Sequence, residues 1–160
     1  MPECIDVEIA SENMLKRVEG KALSTLKIYE PKVVRNIPAE EVPGIIDGKS
    51  LNDIERIAKF LKFSFEDVSV AVHLMLHGDF CWGTPGEKEK NTCIAFEFED
   101  IAVLAKDWSR WMKVELEVPG MDISSPLLES SYGIDPLSDE FTKFEFARIC
   151  DKKKRMGIKR

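Results

Sequence analysis

The chain has 160 residues, of which 44% are hydrophobic and 32% are charged, and its formal net charge is −6. This length and composition are enough for one domain with a buried core. No run of 18 apolar residues occurs, which excludes a membrane-spanning helix, and the acidic total by itself argues against a nucleic-acid partner.

No charged-then-apolar segment opens the sequence, so we expect a cytosolic protein without a membrane partner. The four cysteines are far apart, with no C-x-x-C pair, and we expect reduced thiols at Cys4, Cys81, Cys93 and Cys150. His73 and His77 would share one face of a strand, but two ligands do not make a metal site. The sequence therefore predicts no metal and no cofactor in this chain.

The charge is unevenly distributed along the chain. Residues 141–160 contain eight Lys or Arg against two Asp or Glu, a net of +6, whereas residues 1–140 have a net of −12. Such asymmetry indicates an anionic partner near the basic end. A solvated basic helix end explains the same charges equally well.

The first three residues, Met1-Pro2-Glu3, combine a potential nucleophile with a carboxyl group. Methionine aminopeptidase readily removes Met before a small residue, and its action here would leave Pro2 as a secondary amine. An α-amino group has a pKa near ~8, so part of it is an uncharged nucleophile at neutral pH. Attack on an aldehyde-like carbon gives a cationic iminium, and Glu3 could exchange protons beside it. Many proteins begin Met-Pro without such chemistry, so the dipeptide alone carries little weight.

Residues 3–19 are predicted to form a helix, because apolar residues recur at helical spacing at Ile5, Ile9, Met14 and Val18. Acidic residues in the first turns suit the helix dipole, and Gly20 is a plausible stop. This helix would fix Pro2 at its N-terminal end, as a catalytic amine requires.

From Leu23 onwards the pattern changes to short apolar and β-branched runs separated by turn residues. The predicted strands are 22–29, 32–35, 44–46, 51–63, 68–75, 79–82, 92–98, 101–106 and 110–117. Many short strands with frequent turns indicate a β-sandwich or barrel. Residues 116–135 are predicted to be a connector, and 139–154 a second helix.

Four stretches, taken together, match one known family in order and approximate separation. They are Met1-Pro-Glu-Cys-Ile-Asp-Val-Glu8, Arg56-Ile-Ala-Lys-Phe-Leu-Lys-Phe63, Val72-His-Leu-Met-Leu-His-Gly78, and Asp135-Pro-Leu-Ser-Asp-Glu-Phe-Thr142 followed by Ile149-Cys-Asp-Lys-Lys-Lys154. The first three resemble the patterns Met-Pro-Glu-x-Pro-Glu-Val-Glu, Arg-x-Gly-Lys-Tyr-Leu-Leu-Phe and Val-His-Leu-Gly-Met-Ser-Gly of the Fpg/Nei family. The fourth is similar to the start of that family's helix–two-turn–helix region.

The resemblance implies an α+β, mainly β, fold: an N-terminal helix on a two-sheet antiparallel β-sandwich, followed by a C-terminal helix. It also implies a catalytic domain at 1–118, a linker at 119–134 and the start of a DNA-binding helical domain at 135–160. The family's remaining helices and finger would follow, and no finger cysteines are present, so no zinc is expected.

Members of this family are DNA glycosylases of base-excision repair, so the resemblance implies removal of oxidised bases. It also implies abasic-site lyase activity by β/δ-elimination, through an imino intermediate on the N-terminal proline. The expected partner is double-stranded damaged DNA, and the expected state is a monomer. The expected location is the cytoplasm with the nucleoid, or the nucleus of a eukaryote. We expect the 160-residue chain by itself to be weak or inactive.

Carried over by position, the resemblance assigns Pro2 as the nucleophile on C1′ and Glu3 as the group that protonates the sugar ring oxygen. Lys59 matches a strand lysine that contacts the phosphate beside the lesion, and His73 matches a histidine that approaches the backbone phosphates. Leu76 matches an apolar wedge that fills the gap left by a flipped base. The remaining predicted DNA-binding residues are Arg110, Trp111, Lys152, Lys153 and Lys154.

Several residues depart from the family pattern. The family's Asp-Pro-Arg-Arg-Phe-Gly loop reads Asp107-Trp-Ser-Arg-Trp-Met112 here. Trp111 can replace the stacking Phe, but Ser109 replaces the arginine that would pair with the orphaned base, which puts the opposite-base preference in doubt. His77 also replaces a smaller residue in the wedge turn. Two other functions stay open: a lesion-binding homologue without turnover, and an inactive structural domain.

Overall fold

The N-terminal helix α1 spans Cys4–Val18 in the computed structural model, which describes residues 2–121, 123, 125–129 and 132–152. Its start is fixed by Glu3, whose backbone N–H donates to the Asp6 carboxylate at 2.8 Å. Such a bond satisfies one of the amide groups that a helix leaves unpaired at its N-terminus. The predicted helix is therefore confirmed to within a residue at each end.

The buried face of α1 matches the predicted one only in its second half. Met14 and Val18 are buried as predicted, together with Val7, whereas Ile5 and Ile9 are 57% and 54% exposed. Ile5 and Ile9 each lie two positions from Val7, which at ~100° per residue places them on the opposite side of the helix. Both stripes have helical spacing, so periodicity alone could not decide between them.

Two four-stranded antiparallel sheets follow α1, with the orders β1-β6-β7-β5 and β2-β3-β4-β8. The strands are β1 Thr25–Ile28, β2 Leu51–Ile57, β3 Phe60–Phe65, β4 Val68–His73, β5 Gly78–Gly83, β6 Thr92–Glu97, β7 Ala102–Asp107 and β8 Lys113–Glu117. The sheets pack face to face: the Phe63 ring of one stacks on the Phe96 ring of the other with centroids 4.3 Å apart. This confirms the predicted mainly-β sandwich.

Three predicted strands are wrong. Residues 32–35 and 44–46 lie instead at a short 3-10 helix, Pro31–Val33, and at helix α2, Val42–Ile46. Proline lies in the first turn of each, where its fixed φ and missing N–H favour a helical start. The predicted strand 51–63 is a hairpin, β2 and β3, joined by a turn at Ala58 and Lys59.

Two further helices are described: α3, Pro126–Glu129, and α4, Lys143–Lys152. Contacts divide the chain into one unit at residues 1–130 and a second at 131–160. Helix α4 begins later than the predicted residue 139, because the Thr142 hydroxyl caps it by accepting a hydrogen bond from the Glu145 backbone N–H at 3.2 Å. Among the described helices, none has the length and apolar character needed to cross a membrane.

Candidate functional site

Pro2 lines a surface pocket of about 470 Å³ at the N-terminal end of α1. One wall comes from the first turns of α1, and the other comes from the loop between β4 and β5 and the start of β5. The lining residues are Pro2, Asp6, Val7, Ala10, Leu74, Leu76, His77, Gly78, Asp79 and Phe80. The fold thus brings the predicted nucleophile and the predicted wedge, Leu76, to one pocket.

Glu3 and Lys59 form an ion pair, with the lysine Nζ 2.5 Å from a carboxylate oxygen. Both side chains are partly exposed, so the pair is open to solvent and to a ligand. Lys59 lies in the turn of the β2–β3 hairpin, so its predicted place within a strand is wrong. The turn projects the ammonium group towards the N-terminal end of α1, where Pro2 and Glu3 are adjacent.

Arg56 joins this hairpin turn to α1, a role that the sequence did not indicate. Its side chain is only 3% exposed and forms an ion pair with Glu8 of α1. Its Nη1 also donates to the Ala58 carbonyl at 3.0 Å. Ala58 has a φ of 52°, in the left-handed region that favours glycine, and the family pattern has glycine here. The buried guanidinium therefore positions the turn that carries Lys59.

His73 lies at the end of β4, where its Nδ1 accepts a hydrogen bond from the Met75 backbone N–H at 3.0 Å. Burial, and then the nearby charges of Lys113 and Lys59, lower the pKa of His73 below its ordinary value. In the neutral ring the proton is then on Nε2, which can donate to a phosphate oxygen. Lys59 and Lys113 thus place positive charge beside a His73 ring that is favoured in its neutral form.

Residues 74–77, between β4 and β5, form a tight turn that carries the predicted wedge Leu76, and we call it the wedge turn. Met75 has a φ of 58°, and the Gly78 backbone N–H donates to the Leu74 carbonyl at 3.0 Å. A Cβ at Gly78 would lie 2.4 Å from that carbonyl oxygen, so only glycine fits there. The turn leaves Leu76 41% exposed, as a wedge requires.

The segment after β7 is organised by Asp107, which is 1% exposed. Its carboxylate accepts hydrogen bonds from three backbone N–H groups and from one hydroxyl. The donors are the backbone of Ser109, Trp111 and Met112 and the Ser109 side chain, at 2.6–2.9 Å. Burial alone would raise the pKa of Asp107, but these hydrogen bonds outweigh it and hold the pKa below its ordinary value.

This segment presents Arg110 and Trp111, two of the predicted DNA-binding residues. Trp111 is 55% exposed, as expected of a stacking residue. The Arg110 guanidinium lies 3.1 Å from the Glu30 carboxylate, so a phosphate would have to compete with that pair. The predicted Lys153 and Lys154 lie outside the described residues, as does the side chain of Lys152.

A ring contact joins the wedge turn to this segment. His77 and Trp108 have ring centroids 4.4 Å apart at an interplanar angle of 43°. Neither residue was predicted as part of the site. The sequence did carry a signal: His77 stands where the family pattern has a smaller residue, and Trp108 stands where it has a proline.

Within the described part of the chain, no group of three or more His, Cys, Asp or Glu side chains is placed to hold a metal ion.

The model of the formamidopyrimidine-DNA glycosylase N-terminal domain matches residues 1–111. The chain is 29% identical over 161 residues to the formamidopyrimidine-DNA glycosylase of Exiguobacterium sibiricum, covering 99% of this chain and 58% of that protein. It is 29% identical over 146 residues to the enzyme of that name from Shouchella clausii, covering 89% of this chain and 52% of that protein. The chain thus spans little more than half the length of these relatives.

Solved structures of Lactococcus lactis Fpg have the same fold. One, a complex with DNA containing N7-benzyl-Fapy-dG, has a TM-score of 0.68 at 24% identity and covers 73% of this chain and 44% of that one. Another, a complex with DNA containing an abasic site, has a TM-score of 0.69 at 23% identity and covers 74% of this chain and 44% of that one.

Proposed function

Because the chain belongs to the formamidopyrimidine-DNA glycosylase family, we propose that the protein removes oxidised bases from double-stranded DNA and cleaves the resulting abasic site. One observation carries the proposal: Pro2 and Leu76 line one pocket, and the Glu3–Lys59 ion pair lies at the same end of α1. These residues come from three separate stretches of the chain.

Pro2, once Met1 is removed, attacks C1′ of the damaged nucleotide through its nitrogen lone pair. The bond from C1′ to the base breaks, and the base leaves with a proton taken from water. The Glu3 carboxylate accepts the proton that the Pro2 nitrogen loses and passes it to the ring oxygen, so that opening of the sugar ring leaves a cationic iminium between Pro2 and C1′. Loss of a C2′ proton then expels the 3′ phosphate, and water hydrolyses the iminium. Lys59 holds the Glu3 carboxylate and contributes positive charge to the approach of the phosphate.

The DNA is held by charge and by wedging. We assign phosphate contacts to Lys59, to His73 through Nε2–H, and to Arg110 after release from Glu30. Leu76 and Trp111 fill the stack from which the damaged nucleotide is flipped. Lys152, Lys153 and Lys154 add basic charge, and the protein acts as a monomer associated with DNA.

A lesion-binding protein without turnover is the second candidate. The Ser109 hydroxyl is hydrogen-bonded to Asp107 at 2.6 Å, and serine stands where the family pattern has a base-pairing arginine. This departure favours altered recognition, while Pro2 and Glu3 are both retained.

Borohydride trapping tests the proposal. The protein, with removal of Met1 checked by mass, is mixed with an abasic-site oligonucleotide and reductant, and a covalent complex on a denaturing gel is the expected result. Pro2→Gly should abolish the complex. A form of the protein that retains Met1 should give no complex either, because its Pro2 nitrogen is an amide. Tight abasic-site binding with no trapped complex would instead support the second candidate.

A further inference from the structure

Trp108 is the most exposed tryptophan described in the site region, at 64%. Its ring rests against that of His77, the residue that follows the wedge Leu76. A tryptophan held by one neighbouring ring and otherwise open to solvent presents a large flat surface. We call His77 and Trp108 the ring pair.

The ring pair is held in place from both sides. Asp107, the residue before Trp108, binds the backbone of Ser109, Trp111 and Met112. On the other side, Gly78 closes the wedge turn against the Leu74 carbonyl. A preorganised aromatic surface loses little conformational entropy when a ligand stacks on it.

Ser109 directs its backbone N–H and its hydroxyl proton into the segment, away from a base edge. Its backbone N–H and its hydroxyl both donate to the same Asp107 oxygen, at 2.9 and 2.6 Å. The hydroxyl proton is therefore already used inside the segment. Stacking on the exposed Trp108 ring needs no such donor, and it accepts any base because every base has an aromatic face.

We propose that Trp108, supported by His77, is a stacking platform for the unpaired base left opposite the flipped nucleotide. The platform makes lesion binding nearly independent of the identity of that base. His77 directly follows Leu76 in the sequence, and Arg110 lies two residues after Trp108. The platform is therefore continuous with the proposed DNA-binding surface. This inference rests on the proposed function.

The experiment measures binding to four duplexes that carry a stable abasic-site analogue opposite A, C, G or T, by fluorescence anisotropy at one salt concentration. The wild type is expected to bind all four within about threefold. Trp108→Ala should weaken binding to each by about tenfold, the scale of a lost base–aromatic stack. Trp108→Phe should restore most of the affinity, and circular dichroism checks that both variants fold.

A second readout places the effect on the opposite base itself. With 2-aminopurine at that position, the wild type should quench its fluorescence by stacking, and Trp108→Ala should leave it bright on bound duplex. Discrimination of more than tenfold among the four duplexes, or unchanged affinity and quenching in Trp108→Ala, would overturn the platform while leaving the proposed function intact. No preference of the wild type for abasic over intact duplex would overturn both.

Discussion

Glu3 combines a structural position with a proposed chemical role. Its backbone N–H is capped by Asp6 at the start of α1, and its carboxylate contacts Lys59. The cap fixes the orientation of the first turn, so the carboxylate stays beside Pro2 instead of moving with a loose terminus. The cap is reciprocal, because the Glu3 side chain also accepts a hydrogen bond from the Asp6 backbone N–H. A glutamine side-chain oxygen can accept the same bond, so replacing Glu3 by glutamine changes the proton chemistry and keeps the cap.

Glu3→Gln should therefore reduce base excision and spare damaged-DNA binding. A glutamine has a similar shape but cannot deliver a proton, and a positioned acid contributes about 10²–10⁴-fold to rate. Single-turnover excision and anisotropy measure the two properties separately. If Glu3→Gln loses binding as much as excision, the residue has only a structural role.

At the level of elements, short connections position the functional groups. The β2–β3 turn carries Lys59, the β4–β5 turn carries Leu76, and the segment after β7 carries the exposed tryptophans. Each connection is held by a buried polar group or a tight backbone contact: Arg56 for the first, Gly78 for the second and Asp107 for the third. Side chains on mobile loops would lose this alignment.

The Asp107 hydrogen bonds make the stability of the fold pH-dependent. The folded-state pKa of Asp107 lies below its ordinary value of about 3.9, so its contribution is present above that pH and is lost as the pH falls through the folded-state pKa. Asp107→Asn places an amide donor against backbone N–H donors and should cost about 3 kcal/mol at neutral pH.

Urea unfolding at pH 7 and at pH 3 measures this effect. The difference in unfolding free energy between wild type and Asp107→Asn should shrink at the lower pH. Asp100→Asn is the matched control, because Asp100 pairs with Lys21 at the exposed surface, and the loss of an exposed pair should change the unfolding free energy little. A constant difference across pH would contradict the assigned role.

At the scale of the whole molecule, an acidic body carries cations at the candidate site. The net charge of −6 repels DNA at long range, whereas Lys59 and Lys113 place positive charge beside His73. Phosphate contacts release counterions, so binding through such a site weakens steeply with salt.

Lys59→Ala should weaken DNA binding and reduce the slope of log affinity against log salt by about one. Lys16→Ala is a matched control, since Lys16 lies near the other end of α1 in an exposed pair with Glu12. Titrations at several salt concentrations compare the two variants with the wild type. Equal slopes for all three proteins would remove Lys59 from the phosphate contacts.

The sequence by itself determined the features that depend on local pattern or covalent connection. These are the N-terminal helix, most strands, and the adjacency of Pro2 and Glu3. The four matching stretches also led to the correct family, which the domain match confirms. The predicted strands 32–35 and 44–46 were wrong because these apolar runs are too short to separate a strand from a helical turn, and the nearby prolines favour the turn.

Only the tertiary structure decided which distant residues meet. Glu3 and Lys59 are 56 positions apart, and the packing of the β2–β3 hairpin against α1 brings them together. The exposed side of α1, the Arg56 link and the His77–Trp108 contact likewise depend on packing between elements. Sequence periodicity describes one element at a time, whereas these contacts form only when the buried faces of several elements are satisfied together.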